Sequence, residues 1–100
     1  MQTAMNTTPD FKNINDIMLD RLTHVKRAVV TLKRDGYSVI GMDMEHARPV
    51  LKIQNCARCQ KLIDAGRAVF YRWQTVDGVR EKIAQFELEG CKVIWTERGH

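Results

Sequence analysis

Between residues 11 and 34, apolar side chains recur at Ile14, Met18, Leu22, Val25, Val29 and Leu32, with Ile17 and Ala28 widening the stripe. Steps of three and four residues put these on one side of a helix, so the pattern predicts a long amphipathic α-helix over 11–34. Asp16, Asp20, Arg21, Lys26, Lys33 and Arg34 are assigned to its opposite, solvent-facing side. The basic residues gather in the C-terminal half, where they meet the negative end of the helix dipole favourably. Thr8 or Asp10 is the expected N-cap and Gly36 the expected stop. Residues 1–10 are expected to form a flexible arm ahead of a single domain spanning 11–100.

After Gly36 the period changes to two. Residues 37–44 form a β-rich run, residues 45–48 a turn, and residues 49–54 a second strand with Leu51 and Ile53 on one face. Pro49, which has no backbone N–H, belongs at the start of that strand or on a sheet edge. Cys56 to Ala65 is expected to be a short helical turn or a structured loop, with Asn55 as cap and Gly66 as stop. Ala68 to Gln74 is rich in β-branched and aromatic residues and predicts a third strand.

Val79 to Leu88 carries two patterns. Val76, Val79, Ile83 and Phe86 give helical spacing, whereas Ala84, Phe86 and Leu88 alternate as in a strand. Asp77-Gly78 before the segment and Glu89-Gly90 after it are hairpin turn pairs, which favours the strand. Cys91 to Thr96 is the last strand, with Cys91, Val93 and Trp95 on one side, followed by a polar end from Glu97 to His100. These elements predict an α+β domain: a long N-terminal helix packed on an antiparallel sheet of four or five strands.

One hundred residues, 44% hydrophobic and 28% charged, suit one domain with one core and leave no room for a separate catalytic module. No apolar run reaches the roughly 20 residues of a membrane span, and the N-terminus lacks the basic start and apolar core of a signal peptide. The expected location is therefore the cytoplasm. Three cysteines, an odd number in a chain without an export signal, argue for reduced thiols over a disulfide framework. The formal charge of +4 allows attraction to nucleic acid or to an acidic protein surface.

Cys56-Ala57-Arg58-Cys59 is half of a zinc site. Tetrahedral closure needs two further ligands, for which Cys91, His46, His24 and His100 are the candidates. No second C-x-x-C and no paired histidines supply them, so no metal or other cofactor is expected, and a zinc-binding module on Cys56 and Cys59 is a third reading, ranked below the two binding readings that follow. A redox role for the pair would need a thioredoxin-like βαβ core, which this order of elements does not give. His24, His46 and Cys59 lie on unrelated segments and form no nucleophile and base pair, so no enzyme activity is expected.

Two binding readings remain. A protein partner, or a second copy of the chain, could use the apolar stripe where the long helix outruns a small sheet, together with the sheet edge near Tyr71 and Trp73. Arg21, Lys33, Arg34, Tyr71, Arg72 and Trp73 are its candidate contacts, because arginine and large aromatic side chains are favoured interface anchors. Nucleic acid is the alternative, with Lys26, Arg27, Lys33, Arg34, Arg67 and Arg72 on phosphates and Tyr71 and Trp73 available for stacking.

Three phrases within residues 20–100 carry a resemblance: Gly36-Tyr37-Ser38-Val39-Ile40, Ala47-Arg48-Pro49-Val50, and Glu89-Gly90-Cys91-Lys92-Val93-Ile94-Trp95-Thr96-Glu97. The arrangement resembles small accessory proteins of temperate bacteriophages and prophages. The resemblance implies an early regulatory protein, antirepressor-like, that binds a repressor or host factor in the bacterial cytoplasm. Cys56 and Cys59 fall outside these phrases.

Overall fold

The computed structural model of the chain describes residues 13–99. Helix α1 runs from Ile14 to Arg34 and is capped by Asn13, whose side chain accepts the Asp16 backbone N–H at 3.0 Å. The expected caps Thr8 and Asp10, the arm over 1–10 and the helix start at Phe11 lie outside the described residues. At its other end the Gly36 N–H bonds Lys33 O at 3.1 Å and the Tyr37 N–H bonds Leu32 O at 2.9 Å. This closure needs a left-handed residue at Gly36, whose φ is +89°, a conformation that glycine adopts without steric penalty.

A hairpin follows, with β1 (Val39–Asp43) antiparallel to β2 (Val50–Ile53). Helix α2 (Ala57–Asp64) starts from Cys56, one residue later than the expected cap at Asn55. It ends in the same closure as α1, with the Gly66 N–H on Ile63 O and the Arg67 N–H on Leu62 O. Strands β3 (Val69–Val76), β4 (Val79–Leu88) and β5 (Cys91–Arg98) form an antiparallel meander. The ambiguous segment is therefore strand. Asp77 and Gly78 both have positive φ, 51° and 77°, as a type I′ hairpin turn requires. Strand β5, expected over Cys91 to Thr96, also continues through Glu97 and Arg98 of the polar end.

The architecture is α+β, with one long helix on a five-stranded sheet of order β1-β2-β5-β4-β3. The sheet is mixed, not wholly antiparallel, because β5 inserts between β4 and β2 and runs parallel to β2. Central placement suits its sequence: Cys91, Val93 and Trp95 are fully buried on one side. Directly opposed residues in a sheet share a face. Leu51, Ile53, Ala84, Phe86, Val93 and Trp95 thus form one apolar face, closed by Val25, Ala28 and Leu32 of α1 and by Cys59 and Leu62 of α2. Both helices contribute to this one core. The other face of the sheet has no helix on it among the described residues.

Candidate binding surfaces

Only the C-terminal half of the α1 stripe is buried. Val25, Ala28 and Leu32 are core residues, whereas Ile14, Ile17, Met18, Leu19 and Leu22 stay between 40 and 72% exposed. Ile14, Met18 and Leu22 continue the line of Val25 and Leu32, so the exposed residues extend the packing face beyond the end of the core. These five apolar side chains form an exposed patch on a nine-residue helical stretch.

Arg21 does not lie on the polar side of the helix. Its Nη1 donates to Met44 O at 2.9 Å and to His46 O at 2.6 Å, and its Nη2 donates to Ala47 O at 3.1 Å. A rigid guanidinium fork suits three carbonyls converging from one turn. The side chain is therefore a clamp between α1 and the β1–β2 turn. Lys33 and Arg34 are exposed at the far end of α1, where Arg34 pairs with Asp35 at 3.2 Å.

The three β3 candidates separate. The pairing register slips between Phe70 and Arg72, so Tyr71 is a bulged residue on the edge strand. Arg72 opposes Ile83, which lies outside the core cluster on the helix-free face. Tyr71 reaches over that same face, with Lys92 Nζ 4.4 Å from its ring centroid. Trp73 opposes Lys82 on the helix-covered side, beyond the reach of α1, and is 68% exposed. There Lys82 lies over the Phe70 ring at 4.2 Å and 4.0 Å from Glu97, which also accepts the Trp95 indole N–H at 3.1 Å. Trp95 itself fills the core. The six residues read together from the sequence thus occupy four places: the Arg21 clamp, the end of α1, the helix-free face and the exposed tip of the covered face.

The helix-free face contributes residues that sequence reasoning passed over. Val50, Lys52, Lys92 and Ile94 join Tyr71 and Arg72 around a shallow concavity of about 690 Å³. Lys52 and Lys92 carry a signal in the sequence, since they occupy the polar positions of alternating strands. Their neighbourhood depends on the parallel pairing of β2 with β5, which local pattern does not encode.

Cys56 and Cys59 have their sulfurs 3.9 Å apart at the start of α2, Cys56 exposed and Cys59 buried. Burial pushes the Cys59 thiol up to about 11, against a hydrogen bond from the Cys56 backbone that lowers it. Cys91 is buried in β5, and burial followed by Glu89 raises its thiol as well. His46 instead bonds Asp43, with Nε2 3.0 Å from Oδ2. The Glu45 backbone N–H, then the His46 ring, hold the Asp43 carboxyl below its usual value. His100 lies outside the described residues. Among those described, no group of three or more histidine, cysteine or acidic side chains is arranged to hold a metal ion.

No described helix is long and apolar enough to cross a membrane. Residues 4–98 match the model of a protein family described as "Uncharacterised protein", and the chain belongs to that family. No curated protein and no solved structure matches it.

Proposed function

We propose that this family member is a non-catalytic binding module that engages a protein partner through the N-terminal half of α1. The observation that carries the reading is the exposure of Ile14, Ile17, Met18, Leu19 and Leu22 in direct continuation of the buried stripe. An amphipathic helix offered in this way fits a partner's apolar groove, read through anchors at i, i+4 and i+8. Arg21 supports the reading, because its three bonds to the β1–β2 turn fix where the helix leaves the domain. The proposed setting is the one implied by the resemblance to phage accessory proteins. There the partner is a bacterial or phage regulator in the cytoplasm, and covering its oligomerisation or DNA-binding surface changes transcription.

The test is capture from a bacterial host with the native chain and with Leu22→Asp in parallel, followed by reconstitution with the purified partner. A regulator retained by the native chain and lost with Leu22→Asp, at unchanged Tm, is the expected outcome. A partner retained equally by both chains overturns the proposal. So does a helix surface that ultracentrifugation shows to be covered only by a second copy.

A further inference from the structure

The helix-free face of the sheet combines charge, an aromatic ring and an apolar floor. Asp43, Glu81 and Glu87 are its acidic residues, and each already has a partner. Arg98 pairs with Glu81 at 2.8 Å and Arg48 with Glu87 at 2.6 Å, while Asp43 shares a hydrogen bond with the His46 ring, Nε2 to Oδ2 at 3.0 Å. Lys52, Arg72 and Lys92 form no ion pair among the described residues. Three cations without an ion pair against the one carboxylate Asp43 leave a net positive patch here, and all four border a single concavity floored by Val50 and Ile94.

Register sets the geometry of the patch. Lys52 opposes Ile94 on β5, Lys92 opposes Val50 on β2, and Arg72 projects from β3 beyond the intervening β4. Three strand spacings separate β2 from β3, about 14 Å in all. Tyr71 lies within this width. The bulge turns its side chain over the sheet, Lys92 holds the ring from one side, and it remains 37% exposed.

We propose that this face binds single-stranded nucleic acid, with phosphates on Lys52, Arg72 and Lys92 and an unpaired base on Tyr71. Charge complementarity selects a polyanion. The flat ring selects one with bases free to stack, because stacking is the contribution that an acidic peptide lacks and a closed duplex withholds. The face is shallow, and no described element projects from it to enter a groove, so base-edge readout in a duplex has no structural basis here. A width of about 14 Å spans on the order of four nucleotides, the lower end of site sizes on sheet-based binders. Binding is then salt-dependent and tolerant of sequence. This surface is separate from the exposed half of α1, so the proposal does not rest on the helix-mediated function.

Fluorescence anisotropy of the full chain with a labelled mixed-sequence single strand, titrated over a range of salt, tests the assignment. Three phosphate contacts predict that log K falls against log salt with a slope of about −2. Neutralising Lys52, Arg72 and Lys92 together to Gln should abolish the slope and most of the affinity. Tyr71→Ala should weaken binding by about tenfold at an unchanged slope, with Tyr71→Phe close to native. Lys33→Gln, Arg34→Gln and Leu22→Asp should leave binding intact. Matched Tm values separate these effects from misfolding. The proposal is overturned by any of four results: no binding at low salt, a duplex or polyglutamate bound as tightly as the single strand, retention of binding by the triple variant, or its loss on neutralising Lys33 and Arg34.

Discussion

The two halves of α1 share one apolar repeat and have opposite environments. Val25, Ala28 and Leu32 share a core with residues of β2, β4, β5 and α2, while Ile14, Met18 and Leu22 continue the same line as exposed residues. A helix of 21 residues is about 32 Å long, more than the domain's core covers. Periodicity accordingly specifies that a helix forms and which side is sticky. It does not specify whether the covering surface belongs to the same chain. Arg21 lies at the junction of the halves and ties it to the β1–β2 turn, so the exposed half projects from a fixed point.

The largest expected effect tests the covered half. Leu32 is almost fully buried, so Leu32→Ala removes its transfer energy and leaves a cavity, at a cost of about 3 kcal/mol. In a domain of this size that lowers Tm by on the order of 15 °C. Leu22→Ala removes the same atoms from the exposed half and should stay within about 1 kcal/mol of native. Thermal unfolding of the pair checks the contrast. Equal losses would show that the N-terminal half is covered within the isolated chain, and the comparison would fail.

Next comes the junction. Arg21→Ala deletes three hydrogen bonds from a charged donor and should destabilise by about 2 kcal/mol. Arg21→Lys should recover only part, because an ammonium has no planar fork to match several carbonyls. Amide exchange gives the specific signature: protection should fall in the β1–β2 turn before it falls in β4 and β5.

These contrasts also mark what the sequence made legible. The helix, both hairpin turns and the inward alternation of Ala84, Phe86 and Leu88 follow from local rules, and the structure agrees with each. What escaped depends on contacts far apart in the chain. The parallel pairing of β2 with β5 joins residues about forty positions apart, and it alone brings Lys52 beside Ile94 and Lys92. Arg21 read as a surface charge because helical periodicity cannot see three carbonyls arriving from residues 44–47. The aromatic run of β3 read as one contact surface because the bulge at Tyr71 is invisible in composition. That bulge puts Tyr71 and Arg72 on one face and Trp73 on the other.

Alkaline pH acts more gradually, through the core against which the covered half of α1 packs. The Cys59 thiol, raised by burial to about 11, stays protonated in the fold after the unfolded chain has begun to ionise. Its folded value lies above its unfolded value. The stability linked to it is therefore complete below about pH 9 and is lost as pH rises towards 11. Cys91, shifted in the same direction, steepens the loss. Denaturant midpoints measured at pH 8, 9.5 and 10.5 should fall progressively, and Cys59→Ala should show a shallower fall whatever its absolute stability. An unchanged slope in that variant would place the alkaline sensitivity elsewhere.

The smallest effect on stability carries the most information about function. Ile14 opens the helix, is 72% exposed, and lies where a negative side chain meets the positive end of the helix dipole. Ile14→Glu therefore loses little burial and gains a favourable charge, so unfolding should stay within about 0.5 kcal/mol of native. The same change places a carboxylate at the leading anchor of the helix, where docking into an apolar groove would require its desolvation without a partner. A chain that folds normally and no longer retains its protein partner is the expected result. A chain that folds normally and still retains it would move the contact surface off the exposed half of α1.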